Sequence, residues 1–317
     1  MIKNLLKKLF FPSIFMLRKY IIYTYMCRHH PKKYVKFLYK KFYGKELDID
    51  NPKNLNEWIN WAKFHSDTSR WSELSDKYNV RRYIKECGLE NMLVELYGVW
   101  DNVESIDWEH LPKEFILKTN HASGTNLIVR DKDVIDKGRY CYMLKEWLKI
   151  EYGDRFAEHH YKQIKPLIIA EKLLNCKKQD IETNSLIDYK FFCANGKPLC
   201  IFAIWCRDES SFKCAVYDLD WTYKPNAIRY NSHYIKPDVL LPAPSSLRQM
   251  IESVEILSKG FPLVRVDLYN VDNKPYFGEM TFTSAGGFID YFTNDFLLEL
   301  GDKCAIENSI NKNLPLN

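Results

Sequence analysis

The chain has 317 residues, of which 46% are hydrophobic and 15% aromatic, with only 12 glycines and 13 prolines. That is enough to bury a sizeable core in one large domain or two to three lobes, and it excludes a low-complexity or solenoid chain. Net charge is +5 at pH 7, yet residues 1–45 hold twelve Lys or Arg and no acid, leaving 34 basic against 41 acidic residues in the remainder. Such an asymmetry points to a partner and says little about fold.

The basic arm, residues 1–45, comes first. Its longest uncharged stretches, Leu9–Leu17 and Tyr20–Cys27, fall far short of the ~20 apolar residues of a spanning helix. No small-residue cleavage site follows, which disfavours a signal peptide. Phe, Tyr, Leu and Ile interleaved with Lys and Arg are the composition of a helix lying in an anionic membrane interface. The competing reading is a basic helical layer packed on the body, its lysine stems lying over apolar surface. No nucleic-acid module follows, so a nucleic-acid partner is not expected.

Residues 46–112 read as a mainly helical subdomain. Asn54-Leu55-Asn56-Glu57-Trp58 opens one amphipathic helix, and Glu73–Cys87 makes a second that stops at Gly88. From Pro112 the texture turns β-rich. Glu114–Lys118 and Asn126–Arg130 bracket a small-residue turn, Asn120–Thr125, and Asp136–Ile150 reads as a helix. Leu167–Ala170 is a buried strand, and Asp188–Ala194 with Pro198–Cys206 makes a hairpin across Asn195-Gly196-Lys197. Phe212–Asp218 is a strand ending in a turn through Asp220-Trp221. A helix capped by Ser245 and closed by Gly260 follows. Leu263–Asn270 and Pro275–Phe282 are two strands joined by the turn Val271–Lys274. Without strict βαβ alternation, this is an α+β architecture with mostly antiparallel sheets.

Nine cysteines are scattered with no CxxC pair and no zinc spacing to histidine. That set suits a reducing cytoplasm.

The segment VRVDLYNVDNKPYFGEMTFTSAGGF, residues 264–288, carries the most chemistry. Asp267 and Glu279 sit on strands that a short turn folds together, so the two carboxylates can face each other and suit Mg²⁺, a hard ion that takes oxygen ligands. The reading against it is two solvent-facing acids on an ordinary hairpin. The small stretch Thr283–Gly287 just beyond suits backbone contact with an anion. Lys118 leads from a buried strand into the Asn120–Thr125 turn, where a lysine and backbone N–H groups can meet phosphate oxygens. Lys190 lies inside the apolar run YKFFCA and needs a partner or a ligand. Glu171 closes the LIIA strand, where a backbone segment can read an adenine edge. Each of these three has an ordinary strand-end or edge-strand explanation as well.

Six ordered segments together resemble a known family: LSDKYNVRRYI, LPKEFILKTNHASG, HYKQIKPLIIAEKLL, DYKFFCANGKP, VYDLDW and VRVDLYNVDNKPYFGEMTFTSAGG. From about Trp71 to Gly301 the chain is similar to the TupA-like branch of the ATP-grasp superfamily, found in teichuronopeptide, capsule and O-antigen clusters. The resemblance implies two β-rich lobes clasping ATP, at about 113–170 and 171–317, behind the helical region and the arm. It implies that Lys118 and Lys190 contact the phosphates and that Asn120, His121, Ser123, Gly124 and Thr125 close over them. Ile169, Glu171 and Leu173 would hold adenine, and Asp267 and Glu279 would hold Mg²⁺. Where the related D-alanine ligases have Glu-x-Asn this chain has Glu279-Met280-Thr281, so Thr281 offers a neutral oxygen and the two-metal arrangement is in doubt.

The implied activity is an ATP-dependent carboxylate–amine ligase working through an acylphosphate, with Arg265 beside Asp267 to hold that intermediate. His121 is open between a base for the amine and a loop hydrogen bond. The expected acceptor is a cell-surface carbohydrate, on a lipid or nucleotide carrier, with a uronic-acid carboxylate; its partner is an amine or amino acid. The arm would hold the enzyme at the inner face of the cell membrane. Three alternatives stand beside this: a glycosyltransferase using Asp218-Leu219-Asp220, a phosphotransferase on the same scaffold, and an inactive scaffold.

Overall fold

A computed structural model describes residues 14–311. Two helices open it, α1 (Ile14–His29) and α2 (Pro31–Tyr43). Cys27 of α1 and Tyr34, Val35, Leu38 and Tyr39 of α2 are buried against Leu47, Ile49, Ala157 and Phe288. Arg28 ties α1 to Asp154 (2.7 Å) and to Glu151. The second half of the basic arm is therefore a packed layer, because its tyrosines and aliphatics have a core to enter. The opposite face stays open, with Ile21, Ile22, Tyr25, Phe37 and Phe42 exposed among lysines.

Helix α3 (Leu55–His65) starts where expected, since Asn54 accepts the Glu57 N–H and Leu55, Trp58, Ile59 and Ala62 face inward. The continuous helix expected over 73–87 does not form. Instead α4 (Ser69–Ser75) and α5 (Val80–Glu86) are separated by a turn at Asp76. Asp76 Oδ1 accepts the backbone N–H groups of Tyr78 (2.8 Å) and Asn79 (3.2 Å), the local competition by which Asp interrupts a helix. The helical reading of 46–112 also missed a strand, β1 (Leu96–Trp100). Its five residues are all half-buried and carry no alternation to read.

The first sheet has the order β1-β4-β2-β3, with β2 (Phe115–Thr119), β3 (Asn126–Val129) and β4 (Ile168–Glu171), antiparallel throughout. Its apolar face packs under α6 (Lys137–Trp147), with Leu144 meeting Phe115, Leu117, Val129 and Ile168. The second sheet has the order β10-β9-β5-β6-β7-β8. It comprises β5 (Asp188–Ala194), β6 (Lys197–Trp205), β7 (Phe212–Tyr217), β8 (Tyr234–Ile235), β9 (Leu263–Val271) and β10 (Lys274–Thr281). Only β7 and β8 run parallel. Helix α7 (Leu247–Ser258) buries Met250, Val254 and Leu257 in the same core, and α8 (Asn294–Asn311) closes the described chain. Ser245 does not cap α7: its N–H goes to Asp180 Oδ1 (3.1 Å) and its hydroxyl to Asn273.

The β9–β10 hairpin turns through Asp272 and Asn273, both left-handed (φ 53° and 57°), the two-residue turn whose twist suits a hairpin. A bulge between Phe277 and Glu279 shifts the register so that Glu279 lies opposite Asp267. Gly278 is required there, since a Cβ would come within 2.9 Å of the Asp267 carbonyl oxygen.

His160 is 2% exposed, edge-on to Trp71 with ring centroids 5.5 Å apart. Burial brings its pKa down from 6.5 to about 3. Its folded pKa is depressed, so the ring is neutral in the folded chain while the unfolded chain takes up a proton below 6.5. Stability should therefore fall as pH drops from 6.5 towards about 3, with a slope of up to about 1.4 kcal/mol per pH unit from this group. Urea melts of the wild type and His160→Gln should diverge in slope over that interval; parallel curves would contradict this.

Candidate active site

Between the two sheets lies a cleft of about 460 Å³ lined by Lys77, Lys118 and the Ala122–Asn126 turn on one side, and by Asp188, Lys190, Arg265, Asp267 and Glu279 on the other. It continues into a cavity of about 440 Å³ that shares Lys77, Ala122, Ser123, Lys190, Arg265 and Glu279 and extends to Arg155, Tyr234, Asp290 and Tyr291.

The second sheet holds the charged core. Lys190 on β5 lies in register with Asp267 on β9. Its ammonium pairs with Asp267 Oδ2 and with Asp188 Oδ2 (2.7 Å). Asp188 stands two residues earlier on the same strand face and also accepts from Arg207 Nη2 (2.7 Å). Arg265 donates from Nε to Asp267 Oδ1 (2.6 Å) and from Nη2 to Asp267 Oδ2 (2.8 Å), Glu279 Oε1 (2.7 Å) and Thr281 Oγ1 (3.1 Å). Asp267 is 1% exposed. Burial pushes its carboxyl up and Arg265 and Lys190 pull it back. Burial would also raise Glu279, but Arg265, Lys77 and Lys190 together outweigh it and bring its carboxyl down to about 2. The two carboxylates are tolerable in this place because cations surround them.

The first sheet supplies Lys118, which lies in register with Ile169 and donates to Glu171 Oε2 (2.6 Å). Arg81 holds the other oxygen of Glu171 at 3.1 Å and the Val94 carbonyl at 2.8 Å. The Glu171 carboxylate is thus engaged by two cations at the end of β4. Ile169 is fully buried inside the sheet, and half-buried Leu173 follows where the chain leaves it. In the turn after β2, Ser123, Gly124 and Thr125 line the cleft, and the Thr119 and Thr125 hydroxyls meet at 2.6 Å. Asn120 and His121 stand behind it. The Asn120 amide bonds Asp76 Oδ1 (2.9 Å), the Lys165 carbonyl (3.0 Å) and the Leu167 N–H (2.7 Å). His121 is 3% exposed, with its pKa lowered by burial.

Lys77 was not singled out in the sequence. It projects from the Asp76 turn and donates to the Ala122 carbonyl (2.7 Å); burial lowers its pKa. The signal was present in LSDKYN, where Asp and Asn flank the lysine. Asp188 and Arg207 were also missed, having no spacing that marks them.

The loop Thr283–Gly287 lines the inner cavity with Ala285 and Gly286. Ala285, Gly286 and Gly287 are all left-handed, at φ 48°, 61° and 76°. A Cβ on Gly286 would come within 2.5 Å of the Phe156 ring. Lys63 holds this loop from behind, donating to the carbonyls of Gly286 (2.6 Å) and Phe156 (2.8 Å), and Asn60 bonds the Gly287 carbonyl (2.8 Å). Burial brings Lys63 down to about 8 against the opposing pull of Glu158, and Glu158 accepts from Thr283 Oγ1 at 2.5 Å. Asp218 and Asp220 lie outside both cavities. Asp218 pairs with Lys224 (3.3 Å), and Asp220 accepts the Thr222 N–H (3.0 Å) in a turn completed by left-handed Trp221.

A family model described as TupA-like ATPgrasp matches residues 57–305. No curated protein matches the chain. Among solved structures it is similar to the D-alanine–D-alanine ligase of Bacillus anthracis complexed with ATP (16% identity, 76% of this chain and 66% of that one, TM-score 0.41). It is similar also to that of Helicobacter pylori (14%, 80% and 67%, 0.42) and to the phosphoribosylamine–glycine ligase of Thermotoga maritima (12%, 67% and 49%, 0.38). The chain spans about two thirds of the length of the first of these.

Removing Arg265 should destabilise the protein sharply. Arg265→Met would strand Asp267 and Glu279, at a cost of about 3–5 kcal/mol for breaking a buried ion network. Lys118→Met, whose partner Glu171 keeps Arg81, should cost clearly less. Chemical denaturation of both variants checks this, and a loss under about 1 kcal/mol for Arg265→Met would contradict it.

Proposed function

The chain belongs to the TupA-like ATP-grasp family, and from that premise we propose that it is an ATP-dependent carboxylate–amine ligase acting on a cell-surface carbohydrate. The observation that carries this reading is that Lys77 and Lys118 from one sheet and Lys190, Arg265, Asp267 and Glu279 from the other line a single cleft. Cations in such numbers around a cavity suit a triphosphate, and positioning with charge neutralisation is most of what phosphoryl transfer needs.

In the proposed reaction, a carboxylate oxygen of the acceptor attacks the γ-phosphorus and the bond to the β-phosphate oxygen breaks. This gives an acylphosphate and ADP. An amine then attacks the acyl carbon, phosphate leaves, and the nitrogen loses a proton, giving an amide. Lys77, Lys118 and Lys190 bind phosphate oxygens, and the Ser123–Thr125 turn covers them. Lys118 and Lys190 would exchange Glu171 and Asp267 for phosphate as the nucleotide enters. With its carboxylate held by Arg81, Glu171 offers adenine its backbone first, along with Ile169 and Leu173. Arg265 stabilises the charge that develops on the acyl oxygens.

Mg²⁺ fits the donor set on chemical grounds. Asp267, Glu279 and Thr281 present oxygen only. A site with two protein carboxylates, completed by phosphate and water, is the kind this ion prefers. Bound there, it would neutralise phosphate charge.

The acceptor class, a uronic-acid carboxylate in a capsule or O-antigen type polymer joined to an amine or amino acid, follows the family resemblance. Membrane association at the inner face rests on the arm. Among the described residues no helix is long and apolar enough to cross a membrane. The exposed face of α1 and α2, with Ile21, Ile22, Tyr25 and Phe37 beside Lys32, Lys33 and Lys36, suits an anionic interface. The Asp218–Asp220 glycosyltransferase alternative loses its basis, since Asp220 is spent on a turn.

Three experiments follow. Mg-ATP should raise the melting temperature, as mass action requires, and UDP-sugars should not. Asp267→Asn and Glu279→Gln should each cut ATP turnover at least ~10²-fold while Asp218→Asn stays near wild type; the reverse ranking would move the site to the other turn. Separately, Lys32→Gln/Lys33→Gln/Lys36→Gln should weaken binding to anionic liposomes roughly 10²-fold with ATP binding intact. Unchanged liposome binding would remove the membrane assignment. Deleting residues 1–45 is a poorer test, because it would uncover Ala157 and Phe288.

A further inference from the structure

A second cavity lies behind the active-site cleft and takes no part in the chemistry above. It holds about 490 Å³ between α2, the start of α3 and α8, a size that accommodates a small ligand. Tyr39, Phe42 and Tyr43 line it together with Lys45, Lys53 and Arg229. Its single acid, Glu57, is already committed, accepting from the Tyr39 hydroxyl (3.1 Å) and the Lys53 backbone N–H (2.7 Å). Lys45, Lys53 and Arg229 form no ion pair with a carboxylate among the described residues; Arg229 reaches only the Asn294 side-chain oxygen. Three cations against one carboxylate, beside aromatic faces, suit an anion with a ring to stack, and an arginine favours a carboxylate.

The cavity adjoins the inner cavity of the site. Phe42 lines both, is 55% exposed, and sits 5.4 Å from the Phe288 ring of the inner cavity. Tyr43 and Asn56, both lining the second cavity, bond the Ile289 carbonyl at 3.1 and 3.0 Å. Phe42 is the shared wall over which a chain molecule held in the inner cavity would extend into this space.

We propose that the second cavity binds a neighbouring anionic sugar residue of the acceptor, so that the enzyme recognises an acidic saccharide chain and not a single uronate. This rests on the carbohydrate-acceptor reading above. Binding energy from the remote residue then helps position the reacting carboxylate.

The test is titration calorimetry of the full chain with galacturonate, tetragalacturonate and neutral maltotetraose. Tetragalacturonate should bind at least about tenfold tighter than galacturonate, and maltotetraose should not bind measurably. Lys53→Gln/Arg229→Gln should abolish that gain while leaving galacturonate and Mg-ATP binding unchanged. The Lys32/Lys33/Lys36 variant should keep the gain, which separates the cavity from the arm's general charge. A gain that survives in Lys53→Gln/Arg229→Gln, or equal binding of maltotetraose, overturns the inference. If Mg-ATP binds and no uronide does, the carbohydrate-acceptor reading fails first and takes this inference with it.

Discussion

The buried charge on β5, β9 and β10 is the constraint on which the rest of the structure depends. Asp267 has almost no contact with water, and an isolated carboxylate in that position would protonate or unfold its surroundings. Arg265 and Lys190 are what make it possible, and strand geometry puts them there: Arg265 two residues away on the same face of β9, Lys190 across the ladder on β5. The bulge at Gly278 then brings Glu279 to the same guanidinium. A cluster so arranged adds little net stability over a well-packed apolar one. In the proposed function a highly charged ligand would exchange places with pairs that are already there.

The opposing sheet repeats the device on a smaller scale. Lys118 is paired with Glu171, and Glu171 with Arg81, so this cation too is held in place by a partner within its own sheet. Lys77 reaches the cleft only because Asp76 interrupts the helix that would otherwise carry it elsewhere. From below, Lys63 and Asn60 draw back the carbonyls of the left-handed loop that ends the hairpin. Preorganisation is spread over helices α3 to α5 and is not confined to the strands.

The hairpin of β9 and β10 was legible because two runs rich in β-branched and aromatic residues flank a short turn of polar residues; the bulge that sets Glu279 opposite Asp267 was not. Lys118 and its turn were legible for the same reason. What failed was local chemistry overridden by local chemistry. Residues 73–87 carry a helical apolar pattern, yet the Asp76 carboxylate outcompetes the helix for two N–H groups. The contacts of the Asn120 side chain with the Asp76 turn and the approach to β4 were likewise not readable from local composition. Strand β1 lacked alternation because both its faces are partly covered. The sequence offered two readings of the arm without deciding between them for its second half: whether Tyr34 and Leu38 enter a core depends on Ala157 and Phe288, more than a hundred residues away.

The central claim is that nucleotide and metal meet at Asp267 and Glu279, between the lysines of the two sheets. Anomalous scattering from crystals grown with Mn²⁺ and a non-hydrolysable ATP analogue tests it directly. The account predicts a manganese peak bridging Asp267, Glu279 and the nucleotide's phosphates, with Lys190 turned onto phosphate. A peak at Asp218 and Asp220, or a nucleotide bound outside the cleft, would contradict it.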